Sequence, residues 1–206
     1  MMIPVPIGDL DPAARFAMVS WTLAPRPIAW VTSLSPDGTR NLAPFSFFTV
    51  ASTDPLVLMI AVEPRDDGGR KDTLANVVAT GEFVVHIAPE HLVAEVARSA
   101  EDTDPSFDEL ADLALATADA EVVRPPVIDG CLAAFECTLL ETRQPGRETL
   151  VFGTVVAAHA ADHLLAPDGR IRSAAVRPLG RIGSVFLTSR QIDSRGARRP
   201  VAHSRP

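Results

Sequence analysis

Tyrosine is absent from this chain of 206 residues, and nine Phe with two Trp bring its aromatic content to only 5%. A flat ligand must therefore be met by Phe, Trp, aliphatic faces or backbone. Basic charge is also in short supply: 19 Lys and Arg stand against 26 Asp and Glu, a formal net charge of -7. A nucleic-acid binder normally carries a basic footprint, so the balance argues against that class. The only two cysteines, Cys131 and Cys137, sit six residues apart in one apolar, strand-like run. Extended, they would be ~20 Å apart, far beyond bridging distance. Two reduced core thiols fit a cytoplasmic protein. No apolar run approaches the ~20 residues of a membrane span. Met1 to Leu10 carries prolines and Asp9 where a signal peptide would have a basic segment and an apolar core, so no signal peptide and no membrane partner are expected. No glycine-rich fingerprint follows a strand, so a nicotinamide cofactor would have no dinucleotide domain of its own. No Gly-x-Ser-x-Gly elbow is present. His159 and His163 lie four apart across a strand end, without a third ligand, and no metal site is expected. His86, inside a strand pattern, reads as structural.

Apolar residues make up 47% of the chain, ample for a core. The length suits one domain over residues 1–189, followed by an Arg-rich tail over 190–206 that reads as a frayed end. Asp11-Pro12 opens a short helix through Trp21. Pro25 and Pro27 force an extended entry into a strand over Ile28 to Ser35. Pro36-Asp37-Gly38 is a turn signal, so the chain doubles back into one strand from Asn41 to Ala51. A further strand covers Leu56 to Val62. A short helix with Asp72 as N-cap is ended by Gly81, and a strand follows over Glu82 to Ile87. Helices are expected over Glu90 to Ala100 and from Asp104 to about Leu115. Long strands then run over Cys131 to Thr142 and Thr149 to His159, and an apolar piece over Ile182 to Leu187. This order suggests a mainly β fold: a six- or seven-stranded antiparallel barrel with helical insertions.

Two segments carry the candidate chemistry. Asn41-Leu42-Ala43-Pro44-Phe45-Ser46-Phe47-Phe48 is a strand whose small and hydroxyl-bearing residues leave its backbone accessible. Pro44 removes one ladder donor, which suits an edge or a bulge. Gly68-Gly69-Arg70-Lys71-Asp72-Thr73-Leu74-Ala75-Asn76 is a glycine loop, a cation and a helix start. Backbone amides at a helix N-terminus, the Thr73 hydroxyl and Lys71 are what a phosphate dianion needs. Asp72 capping a helix beside a solvated Lys71 is the plainer alternative. Phe45, Phe47 and Phe48 also fit a core.

The order of these residues resembles the flavin reductase-like family, which includes flavoredoxin and the reductase components of two-component monooxygenases. The resemblance runs from about Arg26 to about Phe186. It implies an antiparallel, Greek-key-like, FMN-binding split β-barrel, a homodimer with flavin near the subunit interface, and hydride transfer from NADH or NADPH to FMN. An FMN-bound electron carrier, or a flavin-binding protein without its own NAD(P)H turnover, is the alternative, and a partner oxygenase or another electron acceptor is implied. By the same resemblance Thr32, Ser33 and Ala43 to Phe47 line the flavin, and Lys71, Asp72 and Thr73 hold its phosphate. Arg26, in an Arg-Pro-Ile like that of relatives, either reaches the flavin or phosphate or is a surface charge. Asn76 either supports the phosphate site or faces solvent. The hydride acceptor is the cofactor itself, so no catalytic side chain is named. The chain departs from relatives after Leu179-Gly180-Arg181-Ile182-Gly183, where tyrosines near the flavin are replaced by Ser184-Val185-Phe186. Phe186 can stack but lacks the hydroxyl.

Overall fold

A computed structural model describes residues 1–188, and the Arg-rich tail expected over 190–206 lies outside the described residues. Helix α1 (Pro12–Thr22) starts at Asp11, whose carboxylate accepts the Ala14 N–H at 2.7 Å. The short β1 (Arg26–Pro27) leads into β2 (Ala29–Leu34), and the turn at Pro36-Asp37-Gly38 reverses the chain into β3 (Arg40–Phe45). The register pairs Thr32 with Leu42 and Ser33 with Asn41.

The single strand expected from Asn41 to Ala51 is in fact two. After Phe45 the chain turns through Ser46 and Phe47 into β4 (Phe48–Thr53), which pairs with β5 (Leu56–Val62). Then follow α2 (Asp72–Thr80), closed by Gly81 at φ +77°, and β6 (Glu82–Ile87). The insertion is less helical than its sequence suggests. It holds a 3-10 turn at Glu90–Leu92, α3 (Val93–Arg98), a four-residue α4 (Glu109–Asp112), β7 (Thr117–Ala118) and β8 (Val127–Ile128). Asp104 does not start a long helix because its carboxylate is held in a local turn by the Ser106 N–H and hydroxyl; Asp108 caps α4 instead. The long β9 (Ala133–Arg143) and β10 (Thr149–Ala160) match expectation. The apolar piece at Ile182 to Leu187 is a hairpin of β11 (Leu179–Ile182) and β12 (Val185–Thr188), and β11 pairs with β1.

Seven strands form one antiparallel sheet in the order β3-β2-β6-β9-β10-β5-β4. Its two edge strands, β3 and β4, are joined by only two residues. The sheet must therefore curl until its edges meet, which makes it a barrel with a seam. This mainly β, antiparallel architecture is the split-barrel fold. Ala29, Val31, Phe45, Ile60, Val62, Phe83, Val85, Cys137 and Val151 form one buried cluster, into which α2 turns Leu74 and Val77. Trp30, Leu42, Val96, Leu110, Ile128 and Cys131 form a second, beneath the insertion. Burial pushes both thiols up to about 12, so Cys131 and Cys137 are inert core residues. No helix among the described residues is long and apolar enough to cross a membrane.

His86 and Glu136 are buried titratable groups of the sheet. His86 Nδ1 lies 3.0 Å from Trp30 O, and its Nε2 accepts the Ile128 N–H at 3.0 Å. This pairing requires the neutral ring protonated at Nδ1, and burial lowers its pKa to about 4. Burial alone would raise the Glu136 pKa. His159 at 2.6 Å and the N–H groups of Glu121, Val122 and Val123 outweigh it and hold the carboxyl below its ordinary value. His86 and Glu136 thus tie the insertion to the sheet, and His159 on β10 braces Glu136 on the neighbouring β9.

Candidate functional site

A cavity of about 400 Å³ opens at the barrel seam. Its wall comes from α1, β1, β3, the β3–β4 corner, the start of α2, the 99–103 segment and the β11–β12 turn. Of the residues expected from sequence, Arg26, Asn41, Ala43, Pro44, Phe45, Ser46, Phe47, Lys71, Asp72 and Thr73 all stand in this wall.

The edge strand β3 pairs only with β2. Leu42 N–H points away from β2 and donates to Glu109 Oε2 at 3.1 Å. Backbone direction alternates along a strand, so Leu42 and Pro44 present their polar groups outward. One of these N–H groups is committed to Glu109, and proline has none. The edge therefore offers carbonyl acceptors, and the donors lie one step further on. The N–H groups of Ser46 and Phe47, in the corner between β3 and β4, have no hydrogen-bond acceptor among the described residues, while Phe47 O accepts the Ala61 N–H at 2.8 Å. Two half-buried amides without an acceptor beside a run of carbonyls offer the donors and acceptors that the mixed edge of an isoalloxazine ring needs.

At the other part of the wall, Lys71 is the N-cap of α2 and supplies no side-chain cap, leaving the first-turn N–H groups open to the cavity side. Asp72 is not the N-cap expected from sequence. It is the first helical residue, and its carboxylate is neutralised by Arg65, whose guanidinium also reaches Arg70 O and Thr103 O. Lys71 Nζ lies 3.6 Å from Asp102 and 4.0 Å from Glu63, loose pairs that solvent screens. Thr73 is buried, and its Oγ1 accepts from Asn41 Nδ2 at 2.9 Å. Its own hydroxyl hydrogen remains to be donated.

Four expected residues stand outside the wall. Thr32 lies on a central strand and faces the opposite side of the sheet, where its Oγ1 donates to Pro126 O at 2.8 Å. Ser33 Oγ is buried behind the wall and accepts from Asn41 Nδ2 at 3.0 Å and Asn76 Nδ2 at 3.2 Å. Asn76 is buried rather than facing solvent. Ser33, Asn41, Thr73 and Asn76 thus form one network that fixes α2 against the β2–β3 hairpin. Phe186 lies under Arg181, 4.5 Å from ring centroid to guanidinium carbon.

Arg26 is no surface charge. It is 8% exposed, with Nη1 donating to Ser20 O, Nη2 to Gly183 O at 3.1 Å and Nε to Ser46 Oγ at 3.3 Å. Burial, then the nearby Arg181, push its pKa down. It holds α1, the corner and the β11–β12 turn together. Sequence reasoning missed Phe16, Ser20 and Trp21 of α1, together with Arg65, Glu109 and Arg181. Only Arg181 stood in a motif singled out from sequence. Gly183 is where α1 meets this turn: at φ +51°, a Cβ would lie 2.2 Å from the Trp21 ring.

Comparison with known proteins places the chain in a family and a fold. The chain matches the family described as "Flavin reductase like domain" over residues 21–175. It is 36% identical to the uncharacterized protein YwrF of Bacillus subtilis (strain 168) over 181 residues, 84% of this chain and 88% of that protein. The structure superposes on nitrilotriacetate monooxygenase component B from Bacillus cereus with a TM-score of 0.87 at 28% identity, covering 94% of this chain and 98% of that one. It superposes on the 2-nitrobenzoate 2-nitroreductase NbaA of Pseudomonas fluorescens with a TM-score of 0.85 at 26% identity, covering 99% and 98%.

Proposed function

The chain belongs to the flavin reductase-like family, and on that premise we propose that it binds FMN in the seam cavity and reduces it with NADH or NADPH. The observation that carries this reading is the pairing, in one cavity, of the Ser46 and Phe47 amides, unpartnered among the described residues, with the open helix start at Lys71 to Thr73. The volume suits a cofactor-sized ligand. FMN supplies the redox chemistry, with N5 as the hydride acceptor. The chain's own residues bind and orient. The corner amides would fix the ring edge, and the Leu42 and Pro44 carbonyls would accept from the ring's N–H. The α2 amides, the Thr73 hydroxyl and Lys71 would hold the phosphate. Ser33, Asn41 and Asn76 position these groups from behind. No side chain needs to act as an acid or a base.

A homodimer is supported by α1 and the residue that follows it: Phe16, Trp21 and Leu23 are each more than half exposed at the mouth of the cavity or beside it. Such a face is better covered than left in water. Light scattering should give about 44 kDa, twice the 22.0 kDa chain; a monomer at micromolar concentration with FMN bound would oppose this.

The test of function is in two steps. Titration with FMN, riboflavin and FAD, followed in the visible spectrum, should show FMN binding more tightly than riboflavin. Oxidation of NADH and NADPH is then followed with added FMN. Protein that takes up no flavin refutes the reading. Tight FMN with no turnover of either nucleotide leaves the electron-carrier alternative, with electrons supplied by another protein.

A further inference from the structure

We propose that Arg26 and Arg181 form a subsite for the carboxylate of an aromatic ligand that shares the cavity with the flavin. The proposal rests on the flavin-binding reading only for the identity of the cavity's other occupant.

The two arginines are direct cross-strand partners: Arg26 on β1 is in register with Arg181 on β11. Like charges directly opposite each other in an antiparallel pair are destabilising. Here the usual remedy is missing. Three of the five Arg26 N–H donors go to neutral oxygens, those of Ser20, Gly183 and Ser46, and none to a carboxylate among the described residues. Arginine is rarely buried without a charged partner. Arg181 is half-buried, and its side chain makes no hydrogen bond or ion pair among the described residues. Each guanidinium is instead held by a ring, Arg26 at 5.7 Å from the Phe47 centroid and Arg181 at 4.5 Å from that of Phe186. They are therefore ordered without being neutralised.

Six carboxylates line the same cavity; four are engaged elsewhere, and the other two, Glu101 and Glu148, form no ion pair with either arginine. Asp72 pairs with Arg65, Glu63 and Asp102 flank Lys71, and Glu109 accepts from Leu42 N–H and the Thr103 hydroxyl. An incoming anion at the arginine pair would relieve the repulsion that the free protein carries. A planar carboxylate suits the planar guanidinium fork. Phe16, Trp21 and Phe47 line the wall beside it and offer faces to the ring that bears the carboxylate.

Benzoate and benzamide make the test, since they share shape and differ in charge at neutral pH. Binding is read from the fluorescence of Trp21, which lines the cavity. Trp30 is fully buried and gives a constant background. Titrations are run with and without FMN. Benzoate should bind at least about tenfold more tightly than benzamide. In Arg181→Gln the preference should fall to within about twofold, with benzamide affinity retained, and Arg181→Lys should keep part of it. Equal binding of the two probes to the native chain overturns the subsite, whatever the variants do. So does a preference that survives in a folded Arg181→Gln. Pyrophosphate displacing benzoate and binding more tightly would assign the pair to a nucleotide and overturn the carboxylate assignment. Failure of FMN to bind refutes the flavin reading alone, because the comparison without FMN still judges the arginine pair.

Discussion

Replacing Ser46 by proline and, separately, by alanine separates what the backbone contributes at the β3–β4 corner from what the side chain contributes. The Ser46 hydroxyl accepts from Arg26 Nε at 3.3 Å, a long hydrogen bond within the protein. Alanine loses that bond, worth about 1 kcal/mol of stability at most, and keeps the N–H. Proline loses the same bond and also the amide that has no acceptor among the described residues. Phe45, the residue before it, ends an extended strand, the conformation that a following proline favours. If the flavin edge takes the Ser46 N–H, the proline leaves a buried flavin acceptor unpaired, a loss of about 1–3 kcal/mol. FMN affinity, measured by calorimetry or by quenching of flavin fluorescence, should then fall at least about tenfold further in the proline variant than in the alanine one. Both variants must keep the native far-UV spectrum. If both fold and bind FMN within about twofold of each other, the corner is not the flavin's partner and the proposed orientation of the ring is wrong.

Lys71→Ala should weaken FMN by about 1–3 kcal/mol while leaving riboflavin unchanged, because it removes a charge-assisted bond and leaves Glu63 and Asp102 facing the phosphate; equal losses for the two flavins in a titration would place the phosphate elsewhere. His86 should make the fold acid-sensitive. Its pKa is lowered to about 4 in the folded chain from an ordinary 6.5, so the unfolded chain binds the extra proton between these values. Its contribution is fully present above pH 6.5, and about 3 kcal/mol is lost as the pH falls to about 4. Urea melts of the native chain and His86→Asn across that window should differ in slope, and identical pH profiles would refute the assignment. Gly153→Ala should destabilise by about 1–3 kcal/mol or more, since the new Cβ would lie 2.3 Å from the Phe83 ring and 3.0 Å from Cys137 Cβ; an unchanged urea midpoint would show that β10 can shift to make room.

The parts of the fold that were legible in sequence are those fixed by neighbours along the chain. The turn at Pro36-Asp37-Gly38, the Asp11 cap, the Gly81 stop and the strands on either side of Gln144 to Arg147 all carry local signals, and all stand as read. The break at Ser46 carries none. Residues 41–51 keep one extended pattern, and the chain turns there only because the two edges of a distant sheet must meet. The same holds for Arg181. Its neighbour Arg26 lies 155 positions earlier, and only the pairing of β11 with β1 brings the two charges together. Asp72 has the composition of a cap, but Arg65, seven residues upstream, competes for its carboxylate. Thr32 and Ser33 were legible as partners of the Asn41 segment. Strand alternation turns one to the far face, and the Asn41–Asn76 network holds the other behind the wall.

The Ser46-Phe47 corner is a hinge pin as well as a wall. Those two residues are the direct covalent link between strands at opposite ends of the sheet order, and the cavity is bounded by β3, by the corner itself and by Ala61 of β5, the strand that pairs with β4. The β2–β3 and β4–β5 hairpins can each form from local contacts, yet the cavity is complete only once the seam has shut. A ligand seated there acts as a clasp: it binds the closed ring and not the opened one, so mass action adds its binding energy to the seam rather than to the barrel at large. Openings that part β3 from β4 would become rarer as the ligand concentration rises, while fraying at the hairpin tip between β9 and β10 would go on as before. Occupancy of the site would then be written in the exchange rates of amides along the seam, far from any atom that carries charge or electrons.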